Sequence, residues 1–270
     1  GLPVIPPTEE LIQAFVAAAG LPASHEVARI DPLMGSATVE KIAINAIMAG
    51  CLPEYMPVVL GVLEAALDPL FTLHGLLCTT HFSGPLVIIN GPIAEQLGID
   101  NGQGVQRPGN QANISIGRFY RLFARNVPRF LPGSTDMATF GQMFRAAIAE
   151  NERACKEMGW EPLHVTRGFE PHDSVVTITS ARTTSDPFTT GGETAERHLD
   201  YIVDWVKRII EPYQSSRGYV ETHVLQLTPV IASLLAKAGY SKQNVADYLM
   251  KHATVPAHYY EWSMMQADHH

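Results

Sequence analysis

The chain has 270 residues, of which 46% are hydrophobic and 17% charged, and its formal net charge is −8. This composition excludes a largely disordered chain, and the lack of a basic stripe or of a membrane-length apolar run argues against nucleic acid and membranes as partners. The three cysteines show no paired spacing, which argues against a disulfide framework and favours a reducing cytoplasm.

The first half of the chain alternates helical and strand-like patterns. In chain order we expect helices over residues 8–19, 38–50 and 53–66, strands over 71–80 and 85–90, a loop over 98–113 and a helix over 114–126. Thr8 and Thr38 are suited to cap the first two helices, and Gly20 ends the first. The run LVIIN at residues 86–90 is typical of a strand buried on both faces.

The second half mixes the same elements. After an irregular stretch, the pattern predicts a helix over residues 144–158, strands over 164–169 and 174–180, a helix over 195–210, a strand over 219–227 and helices over 229–237 and 241–252. This mixture predicts an α/β fold with a mixed, partly parallel sheet and helices packed on it. We expect a single domain over residues 1–270, with a weak boundary near 183–193 as the alternative.

The segment at residues 38–57, TVEKIAINAIMAGCLPEYMP, contains a nearly all-apolar helix, a Gly-Cys break and the start of another helix. An apolar helix is usually buried, so Glu40 and Asn45 on it point to the inside of a site. Cys51 precedes the second helix, whose N-terminal potential would lower the thiol pKa and favour a nucleophilic thiolate. The alternatives are a small buried hydrophobe at Cys51 and an ordinary first-turn carboxylate at Glu40.

Two histidines flank the strand-like run HGLLCTTH. A separation of seven residues places His74 and His81 on opposite faces of a strand, so joint metal ligation is not expected. His81 is a candidate for acid–base catalysis, with a hydrogen-bonded loop histidine as the alternative. The missing HExxH and CxxC patterns disfavour a preformed zinc site, whereas a set formed by Glu150, Glu161 and His164 from distant segments remains open.

The loop over residues 98–113 is rich in glycine and asparagine and precedes a helix. Its backbone N–H groups could bind an anion, with a guanidinium fork from Arg107 or Arg118. The alternative interpretation is a structural turn. The loop lacks the Lys-Ser/Thr ending of a Walker loop and the third glycine of GxGxxG.

The segment ENERACKEMGWEPLHVTRGF carries Glu150 and Asn151 in a predicted helix. On the strand predicted after it, alternation places Glu161 and Arg167 on one face and His164 on the other. A surface ion pair between Glu161 and Arg167 is the alternative to a functional role.

Several runs together resemble a bacterial family of poorly characterised proteins found beside, or fused to, proteins with a Sec/Cys-Gly-Ser-Cys (UGSC) motif. The runs are TVEKIAINAIMAGCLPEYMPVVLGVLEAAL, TTHFSGPLVIINGPIAEQLGI, GNQANISIGRFYRL, TDMATFGQ, ENER, WEPLHVTRGF and AGYSKQNVADYL. The resemblance spans about residues 36–256. It implies site positions at Glu40, Asn45, Cys51, Glu54, His81, Asn90, Asn113, Arg118, Glu150, Asn151, His164 and Arg167.

The chain departs from this family at two places. Relatives tend to have Gly-Gln-Pro-Gly-Lys and an aromatic residue where this chain has GQMFR at residues 141–145, and the ENE segment is extended by ACKEMG before Trp160. Both departures fall on one expected wall of the site, so they bear on substrate identity.

The leading hypothesis is an enzyme that acts on a small anionic or carbonyl-bearing molecule by cysteine-assisted hydrolytic or lyase chemistry. The expected catalytic residues are Cys51, His81, His164 and Glu40. The expected substrate-binding residues are Asn45, Glu54, Asn90, Asn113, Arg118, Glu150, Asn151 and Arg167. No cofactor is required by this hypothesis, and a homo-oligomer is expected.

Two other classes of function stay open. One is a metal-dependent hydrolase or lyase that uses His81, Glu150 and His164, with Cys51 as a ligand. The other is a non-catalytic subunit of a UGSC-type partner protein, which the resemblance implies.

Overall fold

The structure, a computed structural model, describes residues 3–80, 84–139, 147–181, 194–210 and 223–267. These residues form an α/β fold with a mixed sheet and surrounding helices, which confirms the predicted class. The chain divides into two compact units, Gly1–Glu152 with Pro162–Thr184, and Arg153–Glu161 with Ser185–His270. The alternative boundary near residues 183–193 lies outside the described residues, and the single domain stays a prediction.

The first unit begins with a helix, a hairpin and a second helix. Helix α1 spans Glu9–Ala19, strands β1 (Glu26–Ile30) and β2 (Gly35–Thr38) pair antiparallel, and α2 spans Val39–Ala49. Thr8 and Thr38 accept hydrogen bonds from backbone N–H groups of the first turns of α1 and α2, as predicted. The hairpin of β1 and β2 was not predicted from the sequence.

Short helices follow where a strand was expected. A 3-10 turn at Pro53–Tyr55 leads into α3, Met56–Leu67, and a second at Pro69–Phe71 leads into α4, Leu73–Cys78. The strand predicted over residues 71–80 is therefore wrong. Among the described residues no single helix has the length and hydropathy to cross a membrane, while the bent pair Pro53–Leu67 and Pro69–Cys78 meets both criteria jointly.

The central sheet of the first unit is mixed. Its described strands are β3 (Gly84–Asn90), β4 (Ala147–Ala149) and β5 (Val175–Ala181), in the order β4-β3-β5. Strand β3 runs parallel to β4 and antiparallel to β5, so that Ile88 is opposite both Ile148 and Thr177. Every residue of β3 is buried, which confirms the strand predicted to be covered on both faces.

Helices cover this sheet. Helix α5 (Pro92–Gln96) follows β3, and α6 (Gln111–Asn126) packs on α2 and β4, while α3 packs on β5. A Cβ added at Gly61 of α3 would lie only 3.3 Å from Val176 Cγ2, which shows how closely α3 approaches the sheet. The main core joins α2, α3, β3 and α6, through residues such as Ile42, Val62, Ile89 and Phe119.

Two other predicted elements are corrected. The helix predicted over residues 144–158 is instead β4 followed by a break and α7, Glu152–Met158, with residues 140–146 outside the described residues. The strand predicted over residues 164–169 is the short helix α8, Leu163–Thr166. Both changes matter for the site, because they fix how Glu150, Glu152 and His164 are presented.

The second unit is helical in its described residues. It contains α7 after the first residue of that helix, and the helices α9 (Ala195–Ile209), α10 (Pro229–Lys237), α11 (Lys242–His252) and α12 (Ala257–Ala267). Helices α9, α10 and α11 confirm predicted helices. The strand predicted over residues 219–227 falls partly on 211–222, outside the described residues, and residues 223–227 form no strand.

Candidate functional site

Polar side chains gather where two parallel strands end. Asn90 is the last residue of β3, Glu150 directly follows β4, and Glu152 opens α7. Parallel strands present their carboxyl ends at the same edge of a sheet, which is where α/β proteins usually bind ligands. Together with Gly91, Leu163 and His164, these residues form what we call the strand-end cluster.

The Asn90 side chain joins the two carboxylates of the strand-end cluster. Its Nδ2 donates to Glu150 Oε2 at 2.8 Å and to Glu152 Oε1 at 2.9 Å. Because both contacts are with carboxylate oxygens, the amide orientation is fixed by chemistry. Asn90 is fully buried, and its Oδ1 has no hydrogen-bond partner in the described parts of the chain.

Backbone N–H groups bind the same two carboxylate oxygens as Asn90 Nδ2. Gly91 N donates to Glu152 Oε1 and Leu163 N donates to Glu150 Oε2, both at 2.6 Å. Gly91 has φ +88°, and a Cβ there would lie 2.0 Å from the Asp173 carbonyl oxygen. A glycine is therefore required at position 91, both for the backbone conformation and for the close approach of residue 173.

His164 lies against Glu152. Helix α8 buries its side chain completely, and Nδ1 is 3.8 Å from Glu152 Oε1. This distance is too long for a hydrogen bond, and within the described segments neither imidazole nitrogen has a hydrogen-bond partner. A carboxylate beside Nδ1 favours the tautomer with a proton on Nδ1 and a lone pair on Nε2, the arrangement of an acid–base histidine.

Glu152 is the acidic member of the strand-end cluster that was not predicted from the sequence. It belongs to the ENER run, where Glu150 and Asn151 were placed in a predicted continuous helix and were implied as site positions by the resemblance. A strand end followed by a turn instead brings Glu150 and Glu152 to the same Asn90 amide. Asn151 lies between them and is half-buried.

Cys51 has a different environment from the one predicted. It is buried in the main apolar core at the junction that follows α2. Burial raises the pKa of the Cys51 thiol from 9.0 to about 12, and the adjacent Ser115 side chain lowers it only in part. The predicted lowering of its pKa is therefore wrong, because desolvation outweighs the potential of the following short 3-10 turn.

Arg118 is engaged with backbone oxygens. Its guanidinium donates to Ala49 O at 3.4 Å, at the carboxyl end of α2, and also to Pro3 O. A cation at this helix end stabilises the unpaired carbonyls and the helix dipole. The expected role in binding a substrate anion is not supported by these contacts.

Asn45 and Asn113 likewise bind neighbouring parts of the protein. Asn45 Nδ2 donates to Lys41 O at 2.8 Å, and its Oδ1 accepts from Asn126 Nδ2 at 2.7 Å. Asn113 exchanges two hydrogen bonds with the backbone of Asp100, at 2.8 and 3.0 Å. The loop over residues 98–113 is thus anchored by Asn113, as the alternative interpretation of a structural turn requires.

The other predicted residues do not join the strand-end cluster. Glu40, Glu54 and Arg167 are exposed, and His81 lies outside the described residues. No ion pair joins Glu161 to Arg167 in the described parts of the chain, although both side chains are exposed. The structure therefore brings together Asn90, Glu150 and His164 from the predicted set and adds Glu152.

Metal binding finds no ready donor set in the described segments. No group of three His, Cys, Asp or Glu side chains there is placed to hold a metal ion. Cys51 lies in the apolar core, and the predicted His81 ligand is outside the described residues. The metal-dependent alternative stays a prediction.

Comparison with known proteins gives no assignment. No protein-family model, curated protein or solved structure matches the chain. The resemblance to proteins found beside UGSC-motif proteins thus stays a prediction, and the strand-end cluster has to be interpreted from its own geometry.

Proposed function

We propose that this protein is an enzyme that carries out hydrolytic or lyase chemistry on a small carbonyl-bearing molecule at the strand-end cluster, with His164 as the acid–base residue. The single observation that carries the proposal is a fully buried imidazole beside a carboxylate, with both ring nitrogens unpartnered among the described residues. A purely structural buried histidine normally has a hydrogen bond, because an unsatisfied buried polar group costs about 1–3 kcal/mol.

In this proposal Glu152 is a positioning residue. Its Oε1 is held by Gly91 N–H and Asn90 Nδ2, so it approaches Nδ1 from a fixed direction. A small movement of the ring would close the 3.8 Å separation to a hydrogen bond. Nε2 would then take a proton from water or from the substrate and return it to the leaving group.

The proposal assigns no nucleophilic role to Cys51. Attack by cysteine needs a thiolate, and burial keeps this thiol protonated at neutral pH. Hydrolysis can proceed through water activated by His164, and a lyase reaction can proceed through proton abstraction by His164. Neither reaction requires Cys51.

The cellular setting we propose is the cytoplasm. All three cysteines are free thiols, which is the usual state of cysteine in reducing compartments. A homo-oligomeric assembly and a UGSC-type partner protein, expected from the sequence, remain proposals.

The test is a turnover screen with a panel of small esters, amides and 2-hydroxy acids, followed by proton NMR. His164→Ala should lose turnover by about 100-fold or more, and added imidazole should restore part of it, as expected for a lost acid–base group. His25→Ala removes an exposed histidine of the same unit and should keep full activity. Turnover that is equal in His164→Ala, or absent from the wild-type chain for the whole panel, would contradict the proposal.

A further inference from the structure

The hydrogen bonds of the strand-end cluster restrict what kind of ligand it can take. Both Asn90 Nδ2 hydrogens are used, one on Glu150 and one on Glu152. The Gly91 and Leu163 N–H groups are used on the same two carboxylates. These four donor hydrogens are therefore not available to an incoming ligand.

Two groups of the strand-end cluster have no hydrogen-bond partner among the described residues, the Asn90 carbonyl oxygen and the His164 imidazole. Asn90 Oδ1 is buried, has no hydrogen-bond partner among the described residues, and belongs to a side chain with 0% exposure. In the tautomer that carries its proton on Nδ1, the side nearest Glu152, His164 Nε2 presents a second lone pair. Two buried acceptors are satisfied by a ligand that brings N–H or O–H donors.

The charge of Glu152 selects among such ligands. The Glu152 side chain is only 29% exposed, and in the described segments its ionic neighbour is His164 rather than a lysine or arginine. An anionic ligand would meet this carboxylate and the Asn90 carbonyl oxygen at short range, and both contacts are repulsive. A cationic donor would gain Coulomb energy that low polarity strengthens.

We infer that the ligand of the strand-end cluster carries a protonated primary amine, whose N–H groups bind Asn90 Oδ1 in the field of Glu152. The inference rests on the proposed function, because it places the reacting carbonyl of the same molecule next to His164. The sequence predicted an anionic or carbonyl-bearing substrate; this inference keeps the carbonyl group and replaces the anionic group with a cationic one. Amino-acid amides and esters are the simplest molecules that combine the two groups.

A matched set of probes tests this inference by binding. Glycinamide carries an ammonium group and a carbonyl group, propionamide replaces the ammonium with a methyl group, and malonamate replaces it with a carboxylate. The readout is the imidazole NMR signals of a histidine-labelled chain, with the His164 signals identified by their loss in His164→Gln. Glycinamide should shift these signals at concentrations at least ten-fold lower than propionamide, and malonamate should be weaker still.

A charge-neutral variant checks the role of Glu152. Glu152→Gln keeps an acceptor oxygen for the Gly91 N–H group but removes the charge, so glycinamide affinity should fall about ten-fold or more while propionamide affinity changes little. Glu95→Gln, at an exposed position of α5, makes the same change in net charge and should have no effect. If Glu152→Gln does not fold by circular dichroism, the comparison of the three probes on the wild-type chain decides alone.

The outcomes separate this inference from the proposed function. Propionamide or malonamate binding as tightly as glycinamide, or no probe shifting the His164 signals, would overturn the ammonium ligand, and the acid–base role would then be judged by the turnover screen. Glycinamide binding with no His164-dependent turnover would instead overturn the proposed function and leave the ligand class standing.

Discussion

At the scale of single residues, burial decides the chemistry of Cys51. The residue precedes a helical turn, a position that favours a thiolate. It lies, however, in the main apolar core, where the desolvation penalty on the thiolate exceeds the stabilisation that the turn provides. Sequence shows the position along the chain and does not show how deeply the sulfur is buried. The same limit applies to Asn45, whose amide is buried because α6 covers it.

Cys51 should therefore be inert in the folded protein. We expect iodoacetamide at pH 8 to alkylate Cys78, which is half-buried, at least ten-fold faster than Cys51 or the buried Cys155. Mass spectrometry of peptides after timed labelling measures the three rates. Denatured protein, in which all three thiols react alike, is the control, and native Cys51 reacting as fast as Cys78 would restore the nucleophile hypothesis.

At the scale of elements, the sequence predicted best where the pattern was long and capped. Helices α1, α2 and α6 and strand β3 appear close to their predicted bounds, because caps and continuous apolar runs are local features. The prediction for residues 147–149 is wrong, because an Ala-Ile-Ala run on its own is typical of a helix. Its pairing with β3 makes it a strand. The strand predicted over the run HGLLCTTH is also wrong, because a short apolar run is compatible with either a helix or a strand.

The wrong secondary structure predicted around β4 and α7 limited how much of the site could be predicted. Asn90, Glu150 and His164 were selected, but their meeting point depends on the parallel pairing of β3 with β4 and on the turn before α7. Glu152 was lost with the continuous helix. Long-range pairing of a three-residue strand has no local sequence pattern, so only the structure reveals it.

The contact between α2 and α6 gives a prediction at the same scale. Asn126→Ala would leave the buried Asn45 Oδ1 without its 2.7 Å hydrogen bond, so the free energy of unfolding should fall by about 1–3 kcal/mol. Urea unfolding followed by circular dichroism measures the change. Arg125→Ala, at an exposed position one residue earlier, should stay within about 0.5 kcal/mol of wild type.

The activity of the same variant separates two roles for Asn45. If Asn45 orients substrate, as the sequence suggested, Asn126→Ala should reduce turnover of any compound found in the screen. If it joins the two helices, turnover at a temperature where the variant is folded should be unchanged. We expect the second result, since Asn45 makes both of its described hydrogen bonds within the protein.

At the scale of the whole molecule, a buried thiol and a buried phenol make the free energy of unfolding change with pH in the alkaline range. Burial raises the pKa of Cys51 to about 12 and also raises the pKa of the Tyr120 hydroxyl above its ordinary value of 10.0. Above pH 9 the unfolded chain releases the Cys51 proton while the folded chain retains it. The unfolded state then binds fewer protons, so the free energy of unfolding decreases as pH rises.

The resulting prediction is a loss of stability that begins near pH 9 and steepens above pH 10, where Tyr120 adds to Cys51. Each group contributes at most about 1.4 kcal/mol per pH unit, and the Cys51 contribution stops growing near pH 12. Urea unfolding at pH 8, 9, 10 and 11 measures the slope. Cys51→Ala should be less stable at pH 8, because it leaves a small cavity, yet lose stability more slowly with pH. Parallel curves for Cys51→Ala and wild type would mean that the folded protein does not hold this thiol in its neutral form.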